Sequence, residues 1–231
     1  MAKTTTRKVT LARQTIIGFL GLIALGFISF SFYYGTSLNN LGPAIEGEDY
    51  TLLDSPLKSQ KRGREEVIEY FSYRCIHCKN FEPFLEDWLI NIPDGITFER
   101  QHVVFSASDE LFARTHLALK SHARYLELHD RLFSAIHDRQ KYFDGLEDIT
   151  SYLNEFDIDT TEFRRSFNSP IVSRKLQANR SRQAQSQLSA TPSLLVLGKY
   201  VISMSNGQQR ALDIASELIE RERNPETKSL P

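Results

Sequence analysis

The spacing of hydrophobic positions changes along this chain, and each spacing predicts a different element. From Ile16 to Tyr34 the sequence IIGFLGLIALGFISFSFYY runs about 19 residues without a charge, close to the length a helix needs to cross a bilayer. Residues 35–47 then break the pattern with Gly35, Asn39, Asn40, Gly42, Pro43 and Gly47, which predicts a linker. Val67-Ile68-Glu69-Tyr70-Phe71-Ser72-Tyr73 is almost continuously apolar and rich in β-branched and aromatic residues, as expected of a central strand covered on both faces. In Asn80–Ile90 the residues Phe81, Phe84, Leu85, Trp88 and Leu89 recur at helical spacing, and Pro83 inside this stretch predicts a kink near Lys79 and Asn80.

Further on, Ile96–Phe105 reads as a second strand. A long helical region follows from about Ser108 to Arg182, with breaks at Asp144-Gly145 and Ser169-Pro170. Ser193–Leu197 and Tyr200–Met204 flank Gly198-Lys199 as a hairpin, and Gln209–Glu222 closes with an amphipathic helix carrying Leu212, Ala215, Leu218 and Ile219. Tyr50–Leu53 supplies one more strand. The predicted order is β, β-α-β, a helical insertion, then β-β-α, with no internal repeat.

Charge sharpens the reading of both ends. The whole chain has 231 residues and a formal net charge of -1, but Lys3, Arg7, Lys8 and Arg13 precede the apolar run and no acid occurs before position 46. By the positive-inside bias, residues 1–15 stay in the cytoplasm and the 16–34 run acts as a transmembrane signal anchor that places the rest across the membrane. A cleaved signal peptide is the alternative, since Gly35-Thr36-Ser37 offers a small-x-small pattern; it gives a soluble protein in the same compartment. Beyond position 45, 24 basic residues face 29 acidic ones, a net of -5. A domain of that sign has no general attraction for nucleic acid.

The two cysteines of the chain, Cys75 and Cys78, stand three positions apart at the predicted strand-to-helix junction. That spacing puts both sulfurs on one helical turn, where unpaired N–H groups and the helix dipole favour thiolate over thiol. Cys75, the outer member, is the expected nucleophile and Cys78 the resolving thiol. His77 and Arg74 add positive character beside them. Half of a zinc site and an inert small-loop disulfide remain as alternatives, although no second tight pair of ligands lies beside either cysteine. His116, His122, His129 and His137 in the helical region read as solvated or core-satisfied residues and are assigned no site.

The run Glu69-Tyr-Phe-Ser-Tyr-Arg-Cys75-Ile-His-Cys78, with Thr191-Pro192-Ser-Leu-Leu-Val-Leu-Gly-Lys-Tyr200 downstream, resembles the DsbA-type periplasmic thioredoxin-fold oxidoreductases over about residues 48–222. The resemblance implies an α/β thioredoxin fold with a helical insertion at about 108–182, preceded here by the transmembrane helix and followed by a flexible tail at 223–231. It implies a cis-proline at Pro192 beside the cysteines, a Thr191 backbone that pairs with an extended substrate, and a buried acid at Glu69 with Arg100 as its basic partner. It also implies disulfide formation in cysteine-containing exported proteins, reoxidation by a membrane partner of the DsbB type, a monomer, and no metal or cofactor. Ile76 stands where the family usually has proline, and Thr191 where it has valine. These departures leave a reductase or isomerase as the alternative enzyme, and a membrane-anchored binding module as the alternative outside catalysis.

Overall fold

The computed structural model describes residues 17–30, 42–59 and 63–224. The chain divides into two units, Met1–Pro43 and Ala44–Pro231. In the first, residues 17–30 form a helix (α1) with outward apolar side chains such as Phe19, Leu22 and Phe27. Among the described residues no helix is long and apolar enough to cross a membrane. The remainder of the expected 16–34 span lies outside the described residues, as do the segment 1–15 and most of the expected tail.

The second unit is built on a five-stranded sheet of β1 (Tyr50–Leu52), β2 (Glu65–Phe71), β3 (Ile96–His102), β4 (Ser193–Val196) and β5 (Tyr200–Ser203), in the order β1-β5-β4-β2-β3. β2 pairs in parallel with β3 and antiparallel with β4. Its place between them explains its near-continuous apolar sequence, since every residue after Glu65 is buried. Helix α2 (Ile76–Ile90) connects β2 to β3 and shares one face of the sheet with α8 (Gln208–Arg223). There Phe81 and Leu85 of α2 and Leu212, Ala215 and Ile219 of α8 pack with Val67, Leu194 and Ile202.

Between β3 and β4 the chain inserts α3 (Asp109–Leu119), α4 (Tyr125–His137), α5 (Leu146–Asn154), α6 (Thr160–Phe167) and α7 (Pro170–Gln185). Breaks occur near Gly145 and at Ser169, where the sequence predicts them. Two more occur where no Gly or Pro announces them. Between α5 and α6, Asp157 takes a left-handed φ of 55°, and the Asp159 carboxylate accepts the Thr161 and Glu162 N–H groups. Between α3 and α4, the residues from Lys120 to Arg124 form the second break.

Several boundaries differ from the sequence reading, each through capture of backbone amides. β3 stops at His102 instead of Phe105 because the Val104 N–H donates to Gln183 Oε1 and the Phe105 N–H to Asp109 Oδ2. Helix α2 starts at Ile76 instead of Asn80 because Cys75 caps it, and it continues through Pro83. The expected linker gives way early: Ala44 is buried in the core and donates its N–H to the Glu217 carboxylate at 3.0 Å. In the β4–β5 turn, Leu197 (φ 54°) and Gly198 (φ 65°) are both left-handed, which suits the twist of a hairpin.

Candidate active site

β2 delivers the chain to the cysteines. Beyond its end, Tyr73 is fully buried and the Cys75 N–H donates to the Ser72 carbonyl. Cys75 then occupies the N-cap of α2 in an extended conformation (φ -96°, ψ 113°). Its sulfur accepts the Cys78 N–H at 3.4 Å, the position a capping Ser or Asp oxygen takes in other helices. Both cysteines are free thiols; Cys75 is half-buried and Cys78 fully buried. In its protonated form Cys75 donates to the Thr191 carbonyl at 3.3 Å, and the Thr191-Pro192 peptide bond is cis.

This environment separates the two thiols chemically. Cys75 falls from the ordinary value of 9.0 to about 5: a hydrogen bond from the Cys78 side chain outweighs the cost of burial, and the Thr191 hydroxyl and the backbone N–H groups of Cys78 and His77 add to it. Cys78 moves far up, first through burial, then through its bond to Cys75 and the nearby Glu69 charge. The site therefore holds an accessible thiolate above a protonated thiol.

His77 and Arg74 act differently from the sequence reading. The His77 side chain is exposed, and the residue aids the thiolate through its backbone N–H, while its carbonyl accepts from Gln208 Nε2. Arg74 turns toward the insertion, donating to Ser108 Oγ at 2.7 Å with Asp109 at 3.8 Å. Neither side chain is a leading cause of the low Cys75 value.

Glu69 lies beneath the cysteines and is wholly buried. The parallel register sets Glu69 opposite Arg100, and Arg100 Nε approaches Glu69 Oε2 to 3.4 Å, although neither Glu69 oxygen accepts a hydrogen bond. Burial, reinforced by the charge of Glu82, pushes the Glu69 carboxyl well above the usual carboxylate range. Arg100 gives its better bond to Glu82, Nη2 to Oε2 at 2.7 Å. The other Glu82 oxygen meets His129 Nε2 at 3.0 Å, and His129 Nδ1 meets the Tyr73 hydroxyl at 2.9 Å. Against the cost of burial, His129 and Arg100 hold Glu82 below its ordinary value.

The structure thus gathers Cys75, Cys78, Thr191, Pro192, Glu69 and Arg100, all singled out from sequence, and adds Glu82, His129 and Tyr73, which were not. A signal for Glu82 existed. It lies with Cys78, Phe81 and Leu85 on the buried stripe of α2, where a carboxylate needs a partner. His129 likewise interrupts the buried stripe of Leu128, Leu132 and Phe133 on α4. Among the described residues, Glu82, Glu86 and Asp130 have the spacing of metal ligands. Both Glu82 oxygens are already engaged, so the trio is not read as a metal centre.

Comparison with known proteins places this geometry in a family. A family model described as a DSBA-like thioredoxin domain matches residues 94–218, which take in β3, the helical insertion and Thr191-Pro192. The chain is 29% identical over 209 residues to the thiol:disulfide interchange protein DsbA of Azotobacter vinelandii, covering 89% of this chain and 97% of that protein. The crystal structure of Pseudomonas aeruginosa DsbA aligns with a TM-score of 0.76 at 27% identity, over 80% of this chain and 97% of that one. The oxidoreductase DsbA of Xylella fastidiosa aligns with a TM-score of 0.73 at 26% identity, over 79% and 99%. With more than half its length inside the family match, the chain belongs to the DSBA-like thioredoxin domain family.

Proposed function

We propose that this protein is a thiol–disulfide oxidoreductase that introduces disulfide bonds into exported proteins, with Cys75 as the nucleophile and Cys78 as the resolving thiol. The observation that carries this reading is the low Cys75 thiol at the α2 N-cap, over a buried Cys78 and beside cis-Pro192. In the oxidised enzyme a substrate thiolate attacks Cys75 Sγ, the Cys75–Cys78 bond breaks, and Cys78 leaves and is protonated. A second substrate thiolate then attacks the substrate sulfur of the mixed disulfide and expels Cys75 as thiolate, leaving two electrons on the enzyme. Stabilising the leaving Cys75 thiolate stabilises the reduced enzyme, which by linkage makes its disulfide the stronger oxidant. Glu69, buried close enough for its charge to act on both sulfurs, serves as proton donor and acceptor for Cys78. The Thr191 backbone pairs with the extended substrate.

The proposal extends to placement. Residues 16–34 are read as an uncleaved anchor, on the strength of their charge-free length, the four preceding basic residues and the outward apolar side chains of α1. Residues 1–15 are then cytoplasmic, the catalytic unit is periplasmic, and a membrane oxidase of the DsbB type withdraws the electrons. Tethering both proteins in one membrane raises their effective concentration. The catalytic unit works as a monomer without metal or cofactor.

The test is oxidation of a reduced model protein by the full chain and by its Cys75→Ser variant, together with the reduction potential of the Cys75–Cys78 pair against glutathione. Loss of activity in the variant and a potential well above thioredoxin's are expected. Undiminished activity would remove Cys75 from the mechanism, and a potential near thioredoxin's would reverse the direction of electron flow.

A further inference from the structure

Resting on that reading, one buried group has no part in it. Three histidines, His102, His116 and His129, pack their rings against Phe71 beneath the site. Two are held in the neutral form, one by its partners and one by burial beside like charge. His102 Nδ1–H donates to the Val103 carbonyl while Nε2 accepts the Tyr73 N–H, so no second ring proton has a place. His116 Nε2–H donates to the Arg100 carbonyl while Nδ1 meets the Tyr125 hydroxyl at 3.3 Å, and burial with the like charge of Lys120 keeps this ring neutral. His129 is the one that faces a carboxylate.

Its surroundings accept either charge state. As a neutral ring, His129 donates Nε2–H to Glu82 Oε1, and Nδ1 accepts the Tyr73 O–H. As a cation it keeps the Glu82 bond, and Nδ1–H donates to the Tyr73 oxygen after that hydroxyl rotates. The groups facing it are Tyr73 from the β2–α2 junction, Glu82 from α2, Arg100 and His102 from β3, His116 from α3, and Tyr125 and Asp130 from α4 itself. Glu82 also borders a surface pocket of about 200 Å³ with Lys79, Glu86 and Asp130, through which a proton can enter.

We propose that His129 is a positioning residue for the exchange reaction, taking up a proton when Glu69 gives its own to the departing Cys78 thiolate. The charges of the cluster carry the argument. With Glu69 protonated and His129 neutral, Arg100 and Glu82 cancel. Ionising Glu69 alone leaves an uncompensated carboxylate in a buried site, which is costly. One proton on His129 restores neutrality across the shared Arg100. The step balances: the substrate thiolate forms its bond to Cys75, the electron pair of the broken S–S bond passes to Cys78, Cys78 takes the Glu69 proton, and His129 receives one from solvent.

His129→Gln tests this, because glutamine can keep both hydrogen bonds but cannot carry the proton. In the full-length oxidised protein, single-turnover reaction with a reduced cysteine peptide, corrected for peptide thiolate, should slow about tenfold. The rise of the corrected rate from pH 8 to pH 5 in the parent should flatten in the variant. In a Glu69→Gln background the same replacement should add less than a twofold effect, since His129 acts through Glu69. Parental rate and pH profile in His129→Gln, or independent multiplication of the two effects, would overturn the proposal. Should His129→Gln not fold, the ring ¹⁵N spectrum of His129 in the parent gives the answer: a neutral ring in the oxidised protein and a protonated one in the mixed disulfide with a single-cysteine peptide are expected, and a neutral ring in both refutes the coupling. Activity surviving in Cys75→Ser would instead sink the oxidoreductase reading itself.

Discussion

The thiol of Cys75 lies 3.3 Å from the carbonyl oxygen of Thr191, whose next peptide bond, to Pro192, is cis. Two segments 116 residues apart in sequence thus meet at the sulfur proposed to react. The contact couples nucleophile to substrate strand, because the backbone that would pair with an incoming peptide also fixes where the sulfur stands.

The low Cys75 value sets a pH dependence. Its folded value, about 5, lies below the ordinary 9.0, so thiolate stabilisation of the reduced protein is complete above pH 9 and is lost progressively as pH falls to about 5. The oxidised protein has no such group. The stability of the reduced form relative to the oxidised form should therefore shrink between pH 9 and pH 5, as measured by denaturant unfolding of each. Thiolate absorbance of the folded reduced protein should titrate at the lower end of that window, near pH 5.

Thr191→Val keeps the shape of the cis-proline loop and removes the hydroxyl that helps hold Cys75 as thiolate. A hydrogen bond to a charged group contributes about 1.5–3 kcal/mol, and part of that survives at a half-exposed site. The Cys75 titration should move upward and the Cys75–Cys78 disulfide should become a weaker oxidant by roughly tenfold in its exchange constant with glutathione. An unchanged midpoint would assign the low value to Cys78 and the helix terminus alone.

Arg100→Met strands the Glu82 carboxylate and leaves Glu69 without its basic neighbour, since Arg100 faces Glu69 at 3.4 Å and holds Glu82 at 2.7 Å. Breaking a buried pair by removing one partner costs about 3–5 kcal/mol. Urea unfolding at pH 7 should show a loss of that order, and the gap from the parent should narrow in acid as the Glu82 carboxylate accepts a proton. A loss below about 1 kcal/mol would mean that Glu69 and Glu82 find other compensation.

Gly198→Ala probes the turn that sets β5 beside β4. Gly198 has φ 65°, and a methyl group there would run into the Leu57 carbonyl oxygen. The Leu57 N–H also donates to the Gly198 carbonyl at 2.7 Å, which would have to stretch. Destabilisation of roughly 1–3 kcal/mol is expected, with the Cys75 titration unaltered because the turn is remote from the sulfur.

Much of the fold was legible because its signals are local. The β2 run, the helical stripe after it, the β4–β5 hairpin and the closing helix declare themselves in stretches of four to sixteen residues, where periodicity and β-branching reflect burial directly. The breaks beside Asp157 and Arg124 were not legible, because aspartate in a left-handed turn and side chains that capture backbone amides leave no Gly or Pro to read. Boundaries failed for the same reason: Gln183 and Asp109 end β3 from positions far along the chain or just beyond it.

For the site, the residues themselves pointed to the Cys75–Cys78 pair and its helix-terminal position, because spacing is a property of a short segment, whereas Glu69 with Arg100 and the loop at Thr191-Pro192 were expected from the family resemblance. Tertiary structure alone decided that the His77 side chain stays outside, that Arg74 turns to Ser108, and that Glu82, His129 and Tyr73 join the buried charges. Those partnerships link α2, β3, α4 and the end of β2. Buried polar groups must find partners where the packed elements leave them, and which elements pack together is not written in any one of their sequences.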